Sequence, residues 1–495
     1  MTNPMSNVQR IARNTALLLI SNVASFVLGF FFTMYVARHL GAEGFGVLAF
    51  ALAFTAIFGV LTDIGLQTLM IREIARDRTL AQKYLSNIAV LKIFLVIITF
   101  GLIALAVNLL HYPAETIKVV YLIALSVVFN AFSTMFYGLF RAHERMEFEA
   151  LGGVLGGALL LGGALYAISH DYSIVGFALI YFIVSIITLG YCFVVSAAKF
   201  TMPRIEVDLG FWKEALKQAW PFALSAIFLT LYFSIDSVML SRMKGNEAVG
   251  WYNAAYRLIL CLSFIPSAYF NAVFPLMSKL HVTSKDFLRF TYERSFKYML
   301  ILGVPIGVGT TILASKIILL IFGVGYANSI IALQILVWSM VFMFVNGVFG
   351  QLFASVNKQL VGTCIFIGCA LLNVVLNVIL IPRYSLTGAS ISTVITMSIG
   401  FLINYIWSSR IGYGISVKNT IGIIVRVSVA SAIMCVFILF LKNFYILALV
   451  PISALLYFAV LYIIRGIDRE DLSLLRSVVA RKQSPAADEN NSRQR

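Results

Sequence analysis

Charge is scarce in this chain: Asp, Glu, Lys and Arg together make up 12% of its 495 residues, less than a soluble domain of that length carries. Cysteine is scarcer, five in all, and Cys192, Cys261, Cys364, Cys369 and Cys435 fall inside apolar stretches. That placement argues against a disulfide framework or a metal site and leaves ordinary packing as their role. No Gly-x-x-x-x-Gly-Lys-Ser/Thr loop occurs, and no polar segment is long enough for an ATPase domain, so the chain does not itself consume nucleotide. No Ser/His/Asp, metal-ligand or carboxylate-pair constellation stands out. An enzyme and a bound cofactor are therefore not expected.

What fills the chain is apolar: 61% of residues are hydrophobic and the mean hydropathy is +0.94. A bilayer core of ~30 Å takes ~20 helical residues to cross, and fourteen stretches meet that length. They are expected at 14–36, 45–66, 84–109, 117–140, 150–168 and 174–196, then at 219–240, 249–277, 297–320, 328–353, 361–381 and 387–408, and finally at 420–441 and 445–464. Alternating strands of a β-barrel are absent from the pattern. The fold class predicted is an all-α integral membrane protein with 14 transmembrane helices. The first stretch is full length and reads as an uncleaved first helix.

Basic residues alternate between loops. With the N-terminus inside, Arg10, Arg13, Arg72, Arg76, Arg78, Lys83, Arg141, Arg145, Lys199, Arg204, Lys213 and Lys217 are cytoplasmic, followed by Lys279, Lys285, Arg289, Arg294, Lys297 and the tail from Arg465. Arg38, Lys118, Arg242, Lys244, Arg383 and Lys442 remain outside. The rule that positive loops stay inside then puts both termini in the cytoplasm of a multi-pass inner or plasma membrane protein. The net charge of +16 is spread over many loops with no single basic face, which speaks against nucleic acid as partner and for anionic lipid headgroups.

The chain also repeats itself. Arg38, Gly41, Glu43 and Gly46 recur as Arg242, Gly245, Glu247 and Gly250, all at an offset of 204, and Tyr172-Ser173-Ile174-Val175-Gly176 recurs as Tyr384-Ser385-Leu386-Thr387-Gly388 at an offset of 212. Six spans per repeat is an even number, so the halves share one orientation and are related by an axis along the membrane normal, with a cleft between them. The expected organisation is a first lobe at 1–198, an amphipathic linker at 199–218, a second lobe at 219–409, helices 13 and 14 within 410–464 and a polar tail at 465–495, disordered around Ser484–Asn491. A transporter that rocks one lobe against the other fits this plan. A stable scaffold for a receptor or an assembly factor is the contrasting reading.

The motif Ala37-Arg38-His39-Leu40-Gly41 with Gly46, the run Asp236-Ser237-Val238-Met239-Leu240-Ser241 followed by Val249-Gly250-Trp251-Tyr252-Asn253-Ala254-Ala255-Tyr256-Arg257, and Asn373-Val374-Val375-Leu376-Asn377 leading to Pro382-Arg383-Tyr384 and Gly388-Ala389 stand in an informative order. In these the chain resembles the polysaccharide-biosynthesis, Wzx-like flippases of the multidrug/oligosaccharidyl-lipid/polysaccharide (MOP) exporter superfamily over nearly its whole length. The resemblance implies movement of a polyprenyl-pyrophosphate-linked oligosaccharide from the cytoplasmic to the outer leaflet by alternating access, with glycan polymerases or glycosyltransferases as neighbours. A peptidoglycan-precursor flippase, MurJ-like, a cation or drug exporter of the same superfamily and a non-transporting membrane scaffold for glycan assembly are the alternatives. An ionic, hydroxyl-rich headgroup cannot enter hydrocarbon unpaired, whereas its polyprenyl tail can stay there. A polar, cationic cleft with a lateral opening answers both needs.

Ionisable residues within or near the spans are Asp63, Lys92, Asp236, Arg257, Lys316 and Arg426, each costing roughly 2.5–3.5 kcal/mol at a helix centre and so a functional candidate. Lys316 and Arg426 lie near span ends and can snorkel. Lys92 either reaches the headgroups or faces the cleft. Asp236 and Arg257, on consecutive helices, are placed to pair, either as a lock or as a switch opened by an anionic headgroup. Substrate-binding candidates are thus Arg257, Lys92 and Asp236, with Arg38 and Arg242 at the outer ends. Asp63 and Asp236 are the carboxylates available for a coupling proton or sodium ion. Asn22, Asn130, Asn346, Asn373, Asn377 and Asn404 either line the cleft or bond helix to helix. Gly152, Gly153, Gly156 and Gly157 read as close helix packing, and Pro221, Pro266, Pro275 and Pro305 as bends or hinges.

Overall fold

In the computed structural model of this chain, residues 4–441 and 443–467 are described; Lys442 and the tail beyond 467 lie outside them, as do the side chains of Arg10, Arg13 and Pro221. Regular structure among the described residues is helical: α1 (Pro4–Gly59), α2 (Leu66–Arg76), α3 (Ala81–Leu109), α4 (Ala114–Ala142), α5 (Met146–Ser169), α6 (Ile174–Lys199), α7 (Leu209–Lys244), α8 (Asn246–Leu262), α9 (Phe264–Thr283), α10 (Lys285–Ile321), α11 (Ser329–Ser355), α12 (Gln359–Arg410), α13 (Val417–Phe440) and α14 (Ile446–Ile463). Twelve segments are long and apolar enough to cross a bilayer. Two of them, in α1 and α12, are each a pair of helices, broken at Gly41 (φ 67°, ψ −178°) and at Ser385 (φ 53°, ψ −134°). Counting both pairs restores the fourteen passes read from hydropathy. Large apolar side chains such as Ile97, Val194 and Leu455 stand exposed on the outer helix faces, as a hydrocarbon solvent requires.

The short connections force successive helices to alternate in direction, which gives the bundle two ends. One carries α2, the α6–α7 connection and the start and finish of the described chain; the other carries Gly41, Gly245, Gly323 and Ser385. Proline accounts for the bend inside the eighth pass. Pro266 has no N–H to offer the Leu262 carbonyl, and the helix breaks at Ser263, between α8 and α9. Pro275 and Pro305 sit inside continuous helices.

The stretch between the halves joins them more tightly than a surface helix would. Residues 201–207 are extended over α3: the Gln82 side-chain amide donates to the Met202 carbonyl at 2.8 Å, and the Arg204 N–H donates to the Ser86 hydroxyl at 2.9 Å. Asp208 then caps α7 by accepting from the Phe211 N–H at 2.9 Å, a bond that holds its carboxylate below the usual range. From Leu209 the amphipathic turns run straight into the seventh pass. Ala215 and Ala219 are buried with Leu66, Leu85 and Leu139 of the first half.

The duplication is visible in the backbone. Gly245 (φ 87°, ψ 173°) repeats the Gly41 conformation, a region open essentially to glycine alone. Five residues on, a β-carbon at Gly46 would lie 1.8 Å from the Asn246 carbonyl oxygen, and one at Gly250 would lie 1.9 Å from that of Ala42. The two helix starts therefore cross backbone on backbone at the pseudo-twofold axis. Around this crossing one apolar core spans both lobes, with Phe45 and Leu48 against Val249, Ala254 and Tyr326. The Leu66–Leu85–Leu139 core at the opposite end, which takes in Ala215 and Ala219 of α7, is separate; the core around the crossing seals the lobes at the Gly41 end. Gly250→Ala is expected to destabilise this seam by roughly 1–3 kcal/mol through overpacking, read as a lower Tm of the purified protein in detergent. An unchanged Tm contradicts the close crossing.

Candidate functional site

Three buried or cleft-facing polar centres follow from this frame. In the first lobe, the second helix of α1 ends in a tight turn at Asp63, Ile64 (φ 44°) and Gly65 (φ 77°). A left-handed conformation costs a branched residue such as Ile64 about 1–2 kcal/mol, and something must hold the turn in place. Lys92 does so: its Nζ donates to Asp63 Oδ1 at 2.8 Å and to the Ala131 carbonyl at 3.1 Å. The Asp63 carboxylate also accepts from the Gln67 N–H at 3.3 Å, at the start of α2. Lys92 is fully buried and points inward to Asp63. The two residues assigned from sequence to different tasks, substrate binding and ion coupling, are partners. Gly65 rests on α7, where an added β-carbon would come 2.7 Å from the Ala219 carbonyl oxygen.

In the second lobe, Asp236 on α7 is buried at 3% exposure. Its carboxylate accepts from Tyr252 Oη and Asn377 Nδ2, both at 2.6 Å, and from Thr393 Oγ1 at 2.9 Å. These donors come from α8 and from both helices of α12. Asn373 and Asn377 share one helical face at an i, i+4 spacing, and the amide of Asn377 bonds Asn373 Oδ1 at 3.0 Å. Every partner of Asp236 among the described residues is neutral. Two atoms beside it, Asn373 Nδ2 and Asn377 Oδ1, are buried without a hydrogen-bond partner.

The expected Asp236–Arg257 pair is not formed. Tyr252, five residues earlier on α8, reaches the carboxylate from a turn that Arg257 does not share. Arg257 is exposed, has no hydrogen-bond or ion-pair partner among the described residues, and lies within electrostatic reach of the Tyr181 hydroxyl on α6. α8 belongs to the second lobe and α6 to the first, so this guanidinium stands where the lobes face each other. About eleven residues at 1.5 Å each separate it from the Gly41 end, close to the middle of a bilayer.

The remaining candidates divide by position. Arg38 bonds α10 carbonyls at the Gly41 end, and Arg242, its repeat partner, is exposed there. Lys316 Nζ donates to the Phe444 carbonyl at 2.9 Å and Arg426 to that of Arg465 at 3.0 Å; both serve helix ends. Asn346 bonds the Met397 carbonyl and Asn404, whereas Asn22 and Asn130 are exposed. Gly152 lies under Tyr137 and Gly163 under Ile180, as close helix packing requires. Thr393 and Tyr232 were not singled out from sequence, because a hydroxyl on an apolar helix carries no signal of what it faces. Tyr232 Oη meets Thr396 Oγ1 at 3.2 Å, one turn from Thr393. Both hydroxyls line a cavity of about 630 Å³ between α7, α11 and α12, bordered by Phe228, Asn346 and Asn404 and, from the first lobe, Thr68.

The architecture is that of a multi-pass, all-helical membrane protein. The family model described as polysaccharide biosynthesis protein matches residues 11–281, and the chain belongs to that family. A second model, MatE, matches residues 221–379. Among named proteins the chain is similar to the probable flippase AglR of Haloferax volcanii, 24% identical over 80% of this chain and 82% of that one. It is also similar to the capsular polysaccharide biosynthesis protein CapF of Staphylococcus aureus, 23% identical over 81% and 100%, and to a putative O-antigen transporter of Shigella flexneri, 23% identical over 72% and 88%. Among solved structures the fold is shared with the lipid II flippase MurJ in an inward closed conformation, with a TM-score of 0.74, 18% identity and coverage of 90% and 98%. An inward-facing multidrug transporter of the MOP superfamily shares it at a TM-score of 0.65, 15% identity and coverage of 78% and 94%.

Proposed function

We propose that this protein is a flippase that carries polyprenyl-pyrophosphate-linked oligosaccharide from the cytoplasmic to the outer leaflet by alternating access. The observation that carries the reading is the exposed, unpartnered Arg257 at mid-depth on α8 of the second lobe, within electrostatic reach of Tyr181 on α6 of the first. A guanidinium at mid-depth costs several kcal/mol unless an anion compensates it, and a pyrophosphate is a bidentate partner for it. The related flippases and O-antigen transporters supply the class of cargo. The end rich in basic loops is cytoplasmic in this reading, with the described chain starting and finishing there, and the sealed Gly41 end is outer.

Energy coupling falls to Asp236. Asp63 is neutralised by Lys92, whereas Asp236 is buried among neutral donors with two unpaired amide atoms at its side. A carboxylate so placed lacks only a proton or a monovalent cation to balance its charge. The cavity that ends at Tyr232 and Thr396 gives such an ion a route from the second lobe's interior.

The test is translocation of labelled lipid-linked glycan in proteoliposomes. Arg257→Ala is expected to slow it by about tenfold to a hundredfold, and Arg257→Lys by less, since the ammonium keeps the charge but loses the two-pronged geometry. Wild-type flux from Arg257→Ala at equal protein level removes Arg257 from the cargo path.

A further inference from the structure

The last four carbonyls of an α-helix have no partner within the helix. At the end of α10 the first two of these are satisfied locally, Ile318 by the Phe322 N–H at 2.8 Å and Leu319 by the Gly323 N–H at 3.2 Å. The other two are taken from across the molecule. Arg38 of the first lobe donates from Nε to the Ile321 carbonyl at 2.8 Å and from Nη2 to that of Leu320. A cation there also answers the negative end of the helix dipole. Close by, Tyr326 Oη, just past α10, donates back to the Ala37 carbonyl at 2.8 Å. Lobe one thus caps a helix of lobe two, and lobe two ties the backbone of lobe one next to that cap.

The duplicated position behaves otherwise. Arg242 matches Arg38 at the offset of 204, and α3 ends where α10 ends in the first repeat, yet Arg242 bonds no α3 carbonyl and stands exposed. Tyr112, just past the end of α3, lies beside Ser241 and Arg242.

We infer that Arg38 is a one-sided latch of the Gly41 end, a positioning residue whose release from Leu320 and Ile321 is required before the lobes part there. The backbone crossing at Gly46 and Gly250 seals this end by shape alone, without directional bonds. The Arg38 contacts are directional, charge-assisted and exposed to competitors, so they set how readily the seal breaks. Arg242 takes no part in holding the closed state. Because the latch joins protein to protein, it stands or falls independently of what the cargo is.

The experiment is a distance measurement between spin labels at Glu43→Cys and Val324→Cys, exposed positions on opposite lobes, in the full chain in nanodiscs with its five native cysteines replaced. Arg38→Ala is expected to raise the ratio of open to closed distances by about tenfold to a hundredfold, the effect of losing one or two charge-assisted hydrogen bonds. Arg38→Lys, which keeps the charge and can still reach a carbonyl, is expected to fall between Arg38→Ala and the unchanged chain, and it carries the test if the alanine variant does not fold. Arg242→Ala is expected to leave the distribution unchanged. Unaltered distances in both Arg38 variants overturn the latch, as does an equal shift from Arg242→Ala. Failure of glycan transport with the distance shift intact counts against the cargo assignment and not against the latch.

Discussion

Asp236→Asn reduces net translocation to the background of empty vesicles while the protein still folds. Asparagine keeps the shape and one acceptor of the carboxylate but turns an amino group toward donors that already point inward, Tyr252 Oη, Asn377 Nδ2 and Thr393 Oγ1. One mismatched buried bond costs about 1–3 kcal/mol, which a folded bundle tolerates. What it does not replace is the negative charge. Without it no proton or cation is needed to complete the second lobe, and cargo movement loses its link to an ion gradient. Asp236→Leu goes further: it orphans all three donors at once and lowers stability severalfold more. The measurement is glycan flux in proteoliposomes under imposed sodium or proton gradients, one at a time. Wild-type flux with unaltered ion dependence in Asp236→Asn sinks the coupling role; loss under one gradient only identifies the ion.

Lys92→Met gives a large loss of stability as well. It leaves the Asp63 carboxylate, whose side chain is 30% exposed, without its cation, and breaking one side of a buried pair costs about 3–5 kcal/mol. The lower part of that range applies, because water reaches Asp63 in part. It also frees the Ala131 carbonyl and relaxes the strained Ile64–Gly65 turn that abuts α7. The double variant Asp63→Asn with Lys92→Met is expected to recover most of the loss, since no buried charge remains. Thermal unfolding of the four proteins in detergent, arranged as a double-mutant cycle, measures the coupling. Additive losses refute the pairing. Glycan flux in the double variant separates structure from function: near wild-type flux makes the pair a structural clasp of the first lobe.

Much of the architecture was legible because hydropathy reports length and the repeats report symmetry. Fourteen passes survive in the structure even where helices merge at Gly41 and Ser385, since a 20-residue apolar run must cross the bilayer wherever a kink falls. The offset of 204 between Gly41 and Gly245 reappears as one backbone conformation used twice. The charged sites were legible only as residues. Asp63, Lys92, Asp236 and Arg257 stood out by being ionisable in an apolar setting, but spacing along a helix does not say which neighbour a side chain meets. Lys92 met Asp63, 29 positions away; Asp236 met Asn377 and Thr393, 141 and 157 positions away. Only Tyr252, 16 residues on, lay within local reach, and it took the place expected for Arg257.

The hydropathy pattern along the chain settled the solvent and the secondary structure, because transfer of a helix into hydrocarbon depends on its residues and scarcely on its neighbours. Which charges are spent on one another and which stand free was decided in three dimensions. An ion pair needs its two ends within about 4 Å, and in a bundle of twisted and broken helices that distance is set by packing at Gly46, Gly65 and Gly250, where no side chain intervenes.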